Sequence, residues 1–461
     1  MSAIEGLLVF LLIVFIYSLI VAILHKKGVL EKLNISLYGP ALLLRTKKGR
    51  KFLKKIAGKQ RVWRTFGNFG IILCFIVMVI MVILLILQAW TVIGFTPQQR
   101  QAMPGVEVTL PLPVINPILR IEYIGYFILA IIIAVVVHEF SHGILTLVGK
   151  LKVKSLGLLY FIIPLGAFCE PDEEQLKKAK TIKRMRIYAA GPTANFVVVI
   201  ITLFLFSFIF MSAVQPAADG LEVLEVYKDS PAYEIGIRKG DIITAINGTD
   251  LTSLKSFTEK SIKYIKLMNE TKANETITIS YIHNHKLYTK PIKLVDRYKY
   301  SPLETNKGKG YTGIYSLVGI KENLDILKNP LFTRFPYGLL FFYLLPLIGY
   351  LEGYNPITSP FTESYILTGP LSILPHGLFW GIANALYWVF WLNLAIALFN
   401  VLPMIPLDGG FLFNDAMGYL VKRLKKDVSE EKKDKIVRKI STIISLLILF
   451  SILFPFLIKY I

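Results

Sequence analysis

The stretch IGYFILAIIIAVVVHEFSHGILTLVG spans residues 124–149 and belongs to an apolar run covering 122–149. About 20 such residues, wound as a helix, cross the hydrocarbon core of a bilayer. Three ionisable groups, His138, Glu139 and His142, stand inside it. Such groups are expensive in lipid and by default mark a functional site. His138 and His142 are four apart, so on a helix both imidazoles leave from one face and can hold one zinc ion. Glu139 lies beside them and can take a proton from an attacking water. The bland alternative is a polar helix–helix contact at the end of a span.

The rest of the chain fits a membrane setting. Of 461 residues, 54% are hydrophobic and only 18% charged, against about 25% charged in a typical soluble protein. Mean hydropathy is +0.56. Further uncharged or nearly uncharged runs lie at 6–24, 69–93, 187–214, 331–351, 377–404 and 440–460. The first begins after Glu5 rather than after a basic cluster and has no small-residue cleavage site behind it, so it reads as a retained span. The two cysteines, Cys74 and Cys169, exclude a disulfide framework and a cysteine-rich zinc module.

The net charge of +21 is mostly topological. Segment 25–64 carries thirteen Lys/Arg and one acid, 177–186 carries six and none, and 421–439 carries nine and four. Each lies beside an apolar run, so all three are expected in the cytoplasm. The alternation of spans then puts the proline-rich segment 94–120 and residues 215–297 on the other side. The run at 331–351 breaks the alternation. Either a short span near 364–374 completes a pair, or 331–351 is re-entrant. No basic patch comes with base-reading partners, so no nucleic-acid partner is expected.

Residues 215–297 read differently. Leu221–Val226, Asp241–Ile246 and Thr276–Tyr281 alternate polar and apolar residues, as half-buried strands do. Asn247-Gly248 signals a tight turn, and Ser230-Pro231-Ala232 opens a short helix. The order Ser-Pro-Ala, Gly-Ile-Arg-Lys-Gly-Asp-Ile-Ile, Ile-Asn-Gly resembles PDZ domains, which capture extended peptides by strand addition. The other reading is a spacer that only blocks access. His283 and His285 would share one face of a strand, where a metal site competes with a plain solvated face.

Zinc in a hydrolase takes three protein ligands and leaves a position for water. One candidate for the third is Asp408, which ends a long apolar segment in Asn400-Val401-Leu402-Pro403-Met404-Ile405-Pro406-Leu407-Asp408-Gly409-Gly410. Its rival is Glu430 with Asp434, set in a run dense in charge that also reads as a solvated face.

Together, the His-Glu-x-x-His span, the distal Asn-x-x-Pro-x4-Asp-Gly segment and the PDZ-like insert resemble the site-2 protease family of intramembrane zinc metalloproteases. The resemblance covers roughly 122–214 and 377–412 plus the insert. It implies one zinc per chain on His138, His142 and Asp408, with Glu139 as catalytic base. It also implies substrate-positioning roles for Asn195, in Ala190-Gly191-Pro192-Thr193-Ala194-Asn195-Phe196, and for Asn400. For Gly191 and Asn195 the alternative is close helix packing with an interhelical hydrogen bond. Segment 156–168, with Pro164, resembles the family's membrane-associated hairpin.

The expected fold is a polytopic α-helical membrane protein of about six to eight spans with a small α/β PDZ-like extramembrane insert. Five regions are expected. Residues 1–121 hold N-terminal spans and the basic loop, and 122–214 the first part of the catalytic core. Residues 215–297 form the PDZ-like domain, 298–376 a linker with an additional membrane segment, and 377–461 the second part of the core and a C-terminal span. The expected substrate is a membrane protein with a transmembrane helix, the other partners being the bilayer and a peptide on the PDZ-like domain. The active site is expected toward the cytoplasmic side of the cell membrane and the PDZ-like domain beyond it. Two alternatives stand beside this reading: another membrane zincin with a Glu third ligand, and a non-catalytic membrane PDZ scaffold.

Overall fold

The computed structural model describes residues 3–33, 35–38, 41–46, 50–105, 108, 116–161, 163–425 and 429–460. Pro111 and Pro113 of the proline-rich segment lie outside them. The chain divides into two compact units, one from residues 1–202 and 388–461, the other from residues 203–387.

Five helices are long and apolar enough to cross a membrane: Gln60–Ile93, Ile121–Val148, Thr181–Ala213, His376–Asn400 and Glu430–Leu457. Large apolar residues stand exposed along them, as lipid allows; Ile72, Ile76 and Leu87 on the first are more than half exposed. Ala3–Lys26 is a further helix of 24 residues. The run at 331–351 yields only Tyr337–Leu351, 15 residues. At about 1.5 Å per residue that helix falls short of the roughly 30 Å hydrocarbon core. No span follows at 364–374; Tyr365–Leu367 is instead a strand paired with Val214–Pro216. Among the described residues five helices meet that length and composition, which does not confirm the expected six to eight spans.

In the first unit the basic segment 25–64 is not a plain loop. It contributes the antiparallel strands Ile35–Tyr38 and Ala41–Thr46 and the helix Arg50–Ala57. The strands extend the hairpin Val153–Phe161/Ile163–Pro171 into a four-stranded sheet, with Leu44 opposite Leu158 and Leu156 opposite Cys169. The helix buries Leu53 and Ala57 against Ile144, Leu145 and Val148 at the end of the His138 helix. The hairpin approaches that helix at Gly143, where a Cβ would stand 2.8 Å from Cys169 Sγ.

The second unit holds a sheet in the order 286–293, 276–283, 242–246, 221–226, 314–319, flanked by the helices Pro231–Glu234 and Phe257–Glu270. Its core gathers Leu221, Val223, Ile243, Ile277, Ile279, Tyr281 and Ile314. Each strand expected from the alternation is present. Asn247 and Gly248 both have positive φ (47° and 76°) in the two-residue turn between Ile246 and Thr249. The outer strand Ile314–Gly319 extends the folded domain past the expected boundary at 297. That strand was invisible locally because it pairs with Leu221–Val226, about 90 positions earlier in the chain.

Candidate active site

His138 and His142 lie on Ile124–Val148, and the helical repeat turns both rings to one side, their centroids 4.8 Å apart. Asp408 is the first residue of the helix Asp408–Leu424. The tight segment before it, with Gly409 and Gly410 packed on the backbone of Val401 and Met404, aims the carboxylate back at the histidines. Its Oδ2 lies 3.0 Å from His138 Nε2 and 3.1 Å from His142 Nε2. One ligand atom from each residue can be chosen so that all three lie within 4.8 Å of one another.

Donors each about 2.0–2.1 Å from a tetrahedral zinc stand roughly 3.3 Å apart, so the two observed separations fit such an ion. The tautomer fits as well. His142 Nδ1 lies 2.6 Å from the carbonyl of Ile187. A carbonyl only accepts, so Nδ1 carries the proton and Nε2 keeps its lone pair for a metal. His138 Nδ1 is buried without a partner among the described residues, which leaves its Nε2 as the nitrogen turned toward Asp408.

Gly191 explains how a second helix can pass so close. It lies in Thr181–Phe204, and a Cβ there would press on the Nε2 atoms of both histidines. Only a glycine leaves that space open. Four residues on, Asn195 is fully buried, and neither its amide nitrogen nor its oxygen has a partner among the described residues. Asn400 is placed differently. Its amide donates to Ile396 O, 3.1 Å away in its own helix.

Glu139 is half-buried, and its Oε2 accepts from the N–H of Cys169, 2.9 Å away on Ile163–Pro171. The rival pair lies elsewhere. Glu430 is exposed and pairs with Lys422 at 2.8 Å and with Lys433, and Asp434 lies 3.4 Å from Lys433. Neither belongs to the donor cluster. His283 bonds Asp241 at 2.7 Å, while His285, with φ 61°, sits in the turn after the strand. The two do not share a strand face.

Two residues escaped the sequence reading. Arg184 at the start of the Gly191 helix clamps Asp415 on the Asp408 helix, Nε 3.0 Å from Oδ2 and Nη2 2.5 Å from Oδ1. It thereby ties the helix over the histidines to the one carrying the third donor. Asn393, fully buried within His376–Asn400, donates to Val389 O and leaves Oδ1 without a partner among the described residues. Their signal in the sequence was only a charge or an amide at the edge or middle of an apolar run.

Comparison with known proteins places this geometry. The uncharacterized protein MJ0971 of Methanocaldococcus jannaschii is 27% identical over 424 residues, covering 91% of this chain and 87% of that protein. The zinc metalloprotease RasP of Shouchella clausii is 26% identical over 247 residues, 52% of each chain. The chloroplastic membrane metalloprotease ARASP of Arabidopsis thaliana is 28% identical over 157 residues, 30% of this chain and 34% of that one. Among solved structures, the PDZ domain of an SdrC-like protein from Listeria innocua is 33% identical, covering 21% of this chain and 92% of that one with a TM-score of 0.17. The model of peptidase family M50 matches residues 126–448, and on that match the chain belongs to peptidase family M50.

Proposed function

We propose that His138, His142 and Asp408 hold the zinc of this intramembrane metalloprotease and that Glu139 is its general base. The observation that carries the assignment is the meeting of three donors from two distant helices at a point where Gly191 strips the covering helix of its side chain. Held by His138, His142 and Asp408, zinc would supply Lewis acidity for a carbonyl and for water. Glu139 takes the proton of the attacking water and passes it to the leaving amine. The unpartnered amide of Asn195, one turn from Gly191, offers both a donor and an acceptor to the backbone of an unwound substrate. Unwinding is required because a spanning helix keeps its peptide groups in its own hydrogen bonds. Asn400 spends one amide N–H on Ile396 O and keeps its second N–H and its Oδ1 for substrate.

The substrate is a membrane protein cut within or beside a span. The three basic segments support a cytoplasmic active site and an extramembrane domain on the opposite side. The PDZ-like domain supports peptide capture. Ile314–Gly319 is the outer strand of its sheet, and a cavity of about 440 Å³ separates it from Phe257–Glu270. Tyr264, Met268, Tyr311 and Leu317 line that cavity together with Arg297, whose Nε is buried and unpartnered. An extended peptide fits there by strand addition. The linker expected from the sequence at 298–376 thus contains one wall of the peptide groove.

The test is zinc content and cleavage of a model single-span substrate, measured on the same detergent preparations. Loss of zinc in Asp408→Ala with retention in Glu430→Ala supports the ligand set. Retention in Asp408→Ala refutes it.

A further inference from the structure

A second cavity, of about 550 Å³, lies in the first unit where two spans end. Gln60 opens the helix Gln60–Ile93 on one side of it, and Leu147 belongs to the last turn of Ile124–Val148 on the other. Four basic residues line it: Arg50, Lys54, Lys150 and Lys152. No acid does. None of the four forms an ion pair among the described residues, although Arg50 Nη2 donates to Lys154 O at 2.6 Å and its Nε is buried without a partner. The nearest acid by hydrogen bonding is Asp172, whose N–H donates to Lys152 O. Asp172 caps the helix Glu173–Lys178 and stays outside the cavity.

The local structure gathers these charges rather than spreading them. Ile124–Val148 ends in a left-handed turn at Lys150, φ 62°, closed by Leu151 N–H donating to Thr146 O. The turn brings Lys150 and Lys152 to one wall of the cavity. Burial of Leu53 and Ala57 fixes Arg50–Ala57 and brings Arg50 and Lys54 to another. The N-terminus of Gln60–Ile93 adds amides without a side-chain cap. Four like charges at one cavity repel each other unless an anion joins them.

We propose that this cavity binds the phosphate of an anionic membrane lipid. Position selects a lipid over a free phosphate. Basic pockets at the ends of spans are where acidic headgroups are held. The wall between the cations is apolar, with Leu147 and Leu151. Trp63, which donates to Ile56 O at 2.9 Å, lies three residues from Gln60, in the place an interfacial aromatic takes. Gln60–Ile93 also presents exposed apolar residues, Val62, Phe69 and Ile72, to surrounding lipid. The site has its own lining and uses none of the residues assigned to catalysis.

Native mass spectrometry of the full chain, released from detergent with phosphatidylglycerol or phosphatidylcholine, tests this. One phosphatidylglycerol should stay bound, with at least tenfold preference over phosphatidylcholine. The preference should vanish in the triple variant Lys54→Gln/Lys150→Gln/Lys152→Gln. It should survive in the control Lys32→Gln/Lys51→Gln/Lys55→Gln, which removes the same charge from the same basic segment and its flank. If the triple variant does not fold, the single variants Lys54→Gln and Lys152→Gln decide by the same comparison, each expected to weaken binding about fivefold. Equal retention of phosphatidylcholine overturns the proposal. So does equal loss in the control, which would mean a diffuse surface charge. Displacement of the lipid by millimolar inorganic phosphate overturns the lipid assignment in favour of a free-anion site.

Discussion

The N–H of Cys169 donates to the Glu139 carboxylate across 2.9 Å, so the outer strand of the hairpin holds the proposed general base from the side away from its sheet partner. Glutamine accepts the same hydrogen bond through its amide oxygen but cannot take a proton from water. Glu139→Gln should therefore keep the hairpin and the zinc and lose about a hundred- to ten-thousand-fold in turnover. Zinc and single-span cleavage assayed together check this. Wild-type turnover would remove the base role, and lost zinc would make Glu139 a ligand or support.

Gly191→Ala should separate stability from metal binding. Mid-helix glycine normally costs roughly 0.5–1 kcal/mol relative to alanine, so the helix itself should gain. The added Cβ, however, would press on both ligand nitrogens. The expected outcome is a folded protein with little or no zinc and no cleavage. Full zinc occupancy would show that the histidines do not use the nitrogens facing Gly191.

The Arg184–Asp415 clamp should act on the metal site at a distance. Both side chains are mostly buried, 23% and 12% exposed. A charge-assisted bond of this kind contributes about 1.5–3 kcal/mol. Arg184→Ala or Asp415→Ala should lower melting temperature and weaken zinc retention against a chelator. The double variant should lose less than the sum of the singles, because the second truncation removes a partner already alone. Strict additivity would mean that the pair is not coupled.

The extramembrane domain should weaken as pH rises. Glu222 is fully buried, and desolvation pushes its carboxyl up to about 8, with the hydrogen bond from Tyr354 opposing the shift. In the unfolded chain the same group ionises near 4.5. Between those values the folded state holds a proton that the unfolded state has released, so the contribution is complete below about 4.5 and is lost as pH climbs through 8. Melting curves of the full chain from acid to alkaline pH should show that fall, and Glu222→Gln should flatten it. An unchanged slope in the variant would assign the effect to other groups.

Sidedness can be read with two single cysteines, since Cys74 and Cys169 are both buried. Leu287 is 66% exposed on the PDZ-like sheet. Leu287→Cys should react with an impermeant thiol reagent in intact cells, and Lys51→Cys should not. The reverse pattern would invert the proposed topology.

Much of the catalytic geometry was legible because local periodicity writes it. Four-residue spacing puts His138 and His142 on one side of a helix, and Gly191 and Asn195 repeat that spacing on another. The strands of 221–283 announced themselves by alternation. What stayed hidden depends on distant partners. Leu44 lies opposite Leu158, so the local pair Ile35–Tyr38/Ala41–Thr46 joins a larger sheet through a hairpin more than a hundred positions away. Arg184 looked like one more cytoplasmic cation until Asp415, 231 positions later, gave it a role. Run length also misled: the apolar stretch at 331–351 contains Pro336 and yields a helix only from Tyr337 onward.

His142 and Asp408 are 266 positions apart, with the whole second unit between them. A ribosome adding about 5–20 residues per second takes roughly 13–53 s to travel from one to the other. For that interval the nascent chain has its two imidazoles and its glutamate but no third donor. The inserted domain, folding as a unit from residues 203–387, works as a delay line. On the proposed ligand set, peptide hydrolysis has to wait for the late helix, so the order of synthesis itself keeps the nascent protease inactive.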